Sequence, residues 1–212
     1  MTEVAKAGPE SDWRDGFLFL GNQLALDFLN TRPVREGEAV ELLPDLDALL
    51  RWFQAADLLS SSKAASLRQQ WGESTRARHV VEAMRELRER LRKEVLARER
   101  GGTVHRAAIS ELNHLMAEHP MLTRLKVSGS ASTTELWFNP HRPEDLFAPL
   151  AHSAALLFAD VDRNRVRKCG RCVLHFYDTS KKGTRRWCSM QLCGNRLKVA
   201  AYAARQRTSN RN

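Results

Sequence analysis

Apolar residues come densely from Phe17 onward: Phe17, Leu18, Leu20, Leu24, Leu26, Phe28 and Leu29. This density predicts a buried helix over about Gly21 to Asn30. Asp27 and Asn30 interrupt the apolar run. Buried polar side chains need partners, so these two either line a ligand pocket or act as hydrogen-bonded links that cap a neighbouring loop. Leu46, Leu49, Leu50, Phe53 and Leu58 then predict a helix over Leu43 to Leu59, opened by Pro44 and an acidic first turn. Ser60-Ser61-Ser62 breaks that pattern and caps a shorter helix through Trp71. The longest periodic segment is Glu73 to Arg100, where Val80, Met84, Leu87, Leu91 and Val95 recur at steps of three and four and form one helical stripe. Gly101-Gly102 ends it. Ile109, Leu112 and Leu115 or Met116 predict another helix from Arg106 to Glu118, closed by His119-Pro120.

The period changes after that point. Leu125 and Val127, a small polar stretch from Gly129 to Thr133, then Leu136 and Phe138 predict two strands, a hairpin packed on the helices. Asn139-Pro140 stops the second strand. Pro143 to Asp160 returns to helix, with Leu146, Leu150, Ala154, Leu157 and Phe158 on its buried side. The long helix carries Arg76, Arg78, Arg85, Arg88, Arg90, Arg92, Arg98 and Arg100, but Glu82, Glu86, Glu89, Glu94 and Glu99 alternate with them. That mixture predicts a solvated face with intrahelical pairs rather than a nucleic-acid patch. The expected organisation is a flexible leader over residues 1–15, an α+β domain over 16–162, a basic module over 163–207 and a polar tail over 208–212.

All four cysteines fall in the basic module, as Cys169 and Cys172, then Cys188 and Cys193. Two close pairs with fifteen residues between them suit one tetrahedral zinc ion, because each pair points two sulfurs at one spot. Disulfides are the rival reading, but the first ten residues are polar and lack the apolar segment of an export signal. The expected compartment is therefore a reducing cytoplasm, and no apolar run approaches a membrane span. His175 lies between the pairs and could replace a ligand, yet four thiolates already fill the shell, so the zinc is expected to be structural.

Charge sharpens the picture. The net +9 conceals a split: residues 163–212 hold fourteen Lys and Arg against one acid, Asp178, leaving twenty bases and twenty-four acids in the preceding part. A module this cationic favours a polyanion, because each neutralised phosphate releases counterions. The sequence has no phosphate-cradling glycine loop, His-Glu-x-x-His pair or nucleophile elbow, and its histidines are scattered, so no enzyme is expected.

Cys193-Gly194-Asn195-Arg196, preceded by Phe176-Tyr177-Asp178-Thr179-Ser180 and Arg185-Arg186-Trp187-Cys188, resembles the CGNR zinc finger. Gly21-Asn22-Gln23-Leu24-Ala25-Leu26-Asp27-Phe28-Leu29-Asn30-Thr31 is similar to the opening signature of the ABATE domain, described as a stress-induced transcription regulator. The resemblance implies a two-part bacterial regulator. The fold class expected is α+β, a mostly helical amino-terminal domain with a small antiparallel hairpin, followed by a treble-clef-like zinc finger with four cysteine ligands.

Within that finger, Cys169 and Cys172 form the first knuckle, with Gly170 letting the backbone turn tightly. Val173 to Tyr177 is expected to pair, across a Lys181-Lys182-Gly183 turn, with a returning strand through Arg185 to Cys188. Asp178 is expected to pair with Arg185 or Arg186. Phe176 and Trp187 are expected to form a miniature core rather than to stack on bases. A final helix from Gly194 to Arg207 would present Asn195, Arg196, Lys198, Arg205 and Arg207. Together with Lys181, Lys182, Arg185 and Arg186 these are the candidate nucleic-acid contacts, lysines for phosphate, Asn195, Arg196 and Arg205 for bases. Asn195 and Arg196 could equally brace the metal site. Duplex DNA is the partner expected first. RNA, a protein partner, a homodimer and a small-molecule inducer stay open as alternatives.

Overall fold

The structure, a computed structural model, describes residues 12–194 apart from residues 36, 73 and 130. Among the described residues six helices carry the core: α1 (Leu24–Leu29), α2 (Leu46–Ala55), α3 (Ser61–Trp71), α4 (Thr75–Glu99), α5 (Arg106–Glu118) and α6 (Phe147–Ala159). Their starts follow local chemistry. Asp45, Ser60 and Ser74 each accept a backbone N–H from the residue three further on, which satisfies one orphan donor of the first turn. The second helix thus begins at Leu46, capped by Asp45, rather than at Pro44, and ends at Ala55 rather than Leu59. The stripe of α4 faces inward as its period requires, with Val80, Met84, Leu87, Leu91 and Val95 all buried. Trp52 on α2 lies at the centre, 5.7 Å from the ring of Phe28 and 5.4 Å from that of Phe53. The stripe of α5 is weaker than expected, since only Leu112 is buried and Ile109 faces solvent.

Strands are short and pair in antiparallel twos. β1 (Trp13–Arg14) pairs with β2 (Phe17–Leu18), so the expected leader gives way to ordered pairing before residue 15. β3 (Val34–Arg35) and β4 (Glu38–Ala39) form a hairpin that the apolar pattern does not announce, turned by Gly37 at φ 93°. β5 (Leu122–Ser128) and β6 (Ala131–Trp137) pair from Leu122↔Trp137 to Ser128↔Ala131. That hairpin stands off the helices instead of packing on them: Leu125 and Val127 are each 69 % exposed, and contact with the core comes from Phe138 at its base, 5.9 Å from Phe53.

The arginines of α4 are more than a solvated face. Arg90 does pair with Glu86 along the helix, and Arg92 with Glu89. But Arg88 is buried and meets Glu41, Glu89 and Thr31, while Arg85 donates to the carbonyls of Leu43 and Pro44. Arg92 donates to Leu29 O at 2.6 Å, and Arg98 to Leu157 O and Phe158 O at 3.1 and 2.9 Å. These side chains staple α4 to the loops and helix ends around it. Among the described residues no helix is long and apolar enough to cross a membrane.

Candidate metal centre

β7 (Val166–Lys168) and β8 (His175–Tyr177) form a further antiparallel pair, with Arg167 opposite Phe176 and Lys168 opposite His175. The loop between them carries Cys169 and Cys172, closed by a hydrogen bond from Cys169 N to Leu174 O at 2.8 Å. The partner of the predicted strand is therefore the segment before the first cysteine pair. The expected return through Arg185 to Cys188 is irregular. It is fixed instead by Gly170 N donating to Arg186 O at 3.0 Å. Gly170 serves this approach rather than a special backbone angle, because a Cβ there would meet the Trp187 ring at 2.9 Å. Past Cys188, Cys193 N donates to Ser189 O at 3.0 Å in a single wide helical turn, Met190–Gly194, that brings the fourth sulfur back over the third.

The result is a cluster of four sulfurs all within 4.8 Å of one another, with Cys188 3.7 Å from both Cys172 and Cys193. A disulfide needs about 2.05 Å, and the edges of a tetrahedron with zinc–sulfur bonds of about 2.3 Å are ~3.8 Å. The sulfurs fit zinc, with Cys169, Cys188 and Cys193 buried and Cys172 half-buried. Like neighbours resist ionisation together. The Cys169 sulfur pushes the Cys172 thiol up to about 12, and Cys169 and Cys172 together push Cys188 higher still. A divalent cation relieves this crowding and displaces the protons the cluster would otherwise hold.

Apolar support comes from Leu174 and Phe176 of the finger and, from the other end of the chain, Leu18 and Leu20. The core role expected of Phe176 and Trp187 is what the structure shows: Phe176 is fully buried and Trp187 half-buried over the knuckle. Arg185 stacks over Phe176 at 4.8 Å and donates to Trp187 O and Cys188 O, so it braces the second cysteine pair. Asp178 departs from its expected role in a related way. It accepts from the backbone amides of Ser180 and Arg185 at 2.9 and 2.7 Å, and its nearest guanidinium is that of Arg167, 3.8 Å away. Burial alone would raise its pKa, yet these hydrogen bonds and the Arg167 charge hold the carboxyl below its ordinary range.

Lys181, Lys182 and Arg186 are exposed. The loop bearing the two lysines is held from beneath by Arg165, which donates to Asp178 O and Ser180 O at 2.9 and 2.8 Å, and by Arg167, which donates to Gly183 O at 2.6 Å. Arg186 lies over the Trp187 ring at 5.1 Å. The expected final helix, with Asn195, Arg196, Lys198, Arg205 and Arg207, lies outside the described residues.

Asp27 and Asn30 act as links, and the ligand pocket weighed for them is replaced by bonds within the chain. Asn30 meets the free edge of β8 like an added strand: its Nδ2 donates to His175 O and its Oδ1 accepts from His175 N, both at 2.9 Å. Tyr177 N donates to Gly21 O at 2.8 Å, and Asn22 Nδ2 donates to Tyr177 O at 2.9 Å. Gly21 in turn donates to Asp27 Oδ1 at 2.6 Å, and a Cβ on Gly21 would fall 2.7 Å from Asp27 N. These demands keep Gly21 to Gln23 out of the predicted helix, which begins at Leu24; Asn22 sits at φ 55°. His175 is buried outside the sulfur cluster, and burial, with the charges of Arg92 and Lys168, lowers its pKa to about 4, so the ring is neutral near pH 7.

Burial raises Asp27 from 3.8 to about 7, against the bond from Gly21 and the charge of Arg14. A carboxyl whose folded pKa is raised favours the folded state fully below its unfolded pKa and loses that advantage as pH climbs through the folded value. Between pH 4 and 7 Asp27 thus costs the fold increasing stability, of the order of a few kcal/mol. Asp27→Asn keeps an acceptor for Gly21 without the charge. Its thermal stability is expected to exceed that of the parent at pH 7.5 and to match it near pH 4; parallel melting profiles across that range would rule out the ionisation cost.

Comparison with known families bears on both parts of the chain. The ABATE family model, described as "Putative stress-induced transcription regulator", matches residues 22–161, and that of the CGNR zinc finger matches residues 165–206. No curated protein matches the chain.

Proposed function

Starting from a chain that belongs to the ABATE family, with a CGNR zinc finger behind it, we propose that this protein regulates transcription by binding duplex DNA through its zinc module. The observation that carries the reading is the charge asymmetry: fourteen bases against one acid from residue 163 onward, ahead of which acids outnumber bases. The single acid is buried under its own loop, bonded to backbone amides and nearest to Arg167, while Lys181, Lys182 and Arg186 are exposed. Those three side chains sit on a scaffold fixed by zinc and by Arg165, which suits phosphate contact at low entropic cost. The six-helix portion then senses a signal or mediates association, without catalysis of its own.

Zinc-loaded protein is expected to bind a random-sequence duplex at low ionic strength, with log affinity falling linearly in log salt by about 0.9 per phosphate contacted. Single-stranded and structured RNA under the same salt separate a DNA preference from general polyanion binding. Indifference to every nucleic acid at low salt would turn the module into a protein-interaction device.

A further inference from the structure

Helix α4 ends beside the finger, and between them lies an open cleft of about 410 Å³. Its wall is drawn from both family-matched segments. Arg98 comes from the last turn of α4, Arg163 from the connection, and Arg167, Lys168, Arg185 and Arg186 from the finger. The carboxylate among the lining residues is that of Glu99, and it accepts the backbone amide of Lys168 at 3.3 Å. The two segments are therefore tied together at this cleft.

These cations are not equally engaged. Arg98 and Arg185 are committed to carbonyl groups, as described above. Arg167 is shared between Gly183 O and Asp178, and its Nε is buried with no hydrogen-bond partner. Arg163, Lys168 and Arg186 are exposed, and among the described residues none has a carboxylate within ion-pair distance. Burial and the charge of Arg163 together lower the pKa of Arg98, a sign of like charges crowded by the fold. The carboxyl end of α4 and Glu99 offset part of that crowding, and Asp178 part of the charge of Arg167, but among the described lining residues six cationic side chains stand with one carboxylate. An oxyanion with several acceptor oxygens would relieve it.

We propose that this cleft seats a phosphate of the nucleic-acid backbone, held by Arg163 and Lys168 with Arg98 behind them, so that the contact surface extends from the finger onto α4. The source of the phosphate rests on the DNA reading above; the affinity of the cleft for phosphate does not. Because the cleft is open rather than enclosed, it suits a phosphate on a long polymer better than a small effector sealed from water. A shift of α4 against the finger would then alter binding directly.

The test compares zinc-loaded wild type with Arg163→Gln/Lys168→Gln and with Lys181→Gln/Lys182→Gln, after zinc content and melting temperature have been matched. These side chains are exposed, so folding is expected to survive. The cleft variant should lower the slope of log affinity against log salt for a duplex by about one to two, with roughly tenfold weaker binding near 0.1 M salt. An unchanged slope there, with a reduced slope in the lysine-loop variant, leaves the DNA reading standing and overturns the cleft. If wild type binds no nucleic acid, the DNA reading fails and titration calorimetry with pyrophosphate decides. Binding lost in Arg163→Gln/Lys168→Gln then supports the phosphate site, and absence of heat in wild type overturns it.

Discussion

Replacing Cys188 with serine is expected to strip the protein of its zinc and to melt the carboxyl-terminal module while the helical portion stays folded. Cys188 is fully buried and lies 3.7 Å from both Cys172 and Cys193. Its loss therefore opens the shell at its centre. Structural zinc contributes about 10–16 kcal/mol of apparent binding free energy near neutral pH, and most of that is folding free energy when no preformed site survives without the ion. Among the described residues the apolar side chains around the cluster, Leu18, Leu20, Leu174 and Phe176 with Trp187 and Leu192 at its edge, are too few to replace it. The core around Trp52 and Phe53 is a separate cluster, so far-ultraviolet dichroism should retain its helical signal. Metal analysis of the purified variant is the deciding measurement: one zinc per chain together with an unaltered melting curve would refute the four-thiolate centre. Chelation of the parent should reproduce the variant, and lowering pH should weaken zinc binding, because protons compete for the thiolates.

The second large effect is expected at Asn30, far from the cysteines in sequence. Asn30→Ala removes both bonds to the His175 backbone and leaves a buried N–H and C=O without partners. Each orphaned group costs about 1–3 kcal/mol, so the variant is expected to lose roughly 2–5 kcal/mol in denaturant unfolding. The effect should depend on the metal. With zinc removed, β8 is no longer held in place, and the same substitution should then cost less than about 1 kcal/mol, a coupling readable as a double-mutant cycle. Equal losses with and without zinc would show that Asn30 acts within the helical portion alone.

Both predictions concern one metal-anchored unit, but they differ in how far the sequence discloses them. Thiol spacing within residues 169–193 disclosed the metal centre because an ion needs only four sulfurs at one point, and each close pair brings two of them together locally. The helical stripe of the long segment was equally legible, since Val80 to Val95 repeats at the pitch of α4, and Ser60 caps α3 as its serine run suggests, whereas Ser74, which caps α4, falls inside the helix expected from Glu73. The charge of the last fifty residues is likewise a plain sum that needs no geometry.

What the chain alone did not reveal was partnership. β8 has two candidate neighbours at similar loop lengths, and register patterns do not rank Val166–Lys168 above Arg185–Cys188. Arg185 and Arg186 stand side by side in the sequence as equivalent bases, yet one is folded under the second cysteine pair and the other faces solvent. Asp27 and Asn30 read as polar interruptions whose purpose depends on groups six and 145 residues away. Composition and periodicity thus determined the longer helices, the zinc and the sign of the charge, because those follow from neighbours along the chain, while the short strand pairs β1–β2, β3–β4 and β7–β8 did not show in the pattern. Tertiary structure decided which strand β8 joins, which arginine is free and what the buried polar groups hold, because a buried donor or acceptor takes the partner that packing brings to it, at whatever distance in sequence.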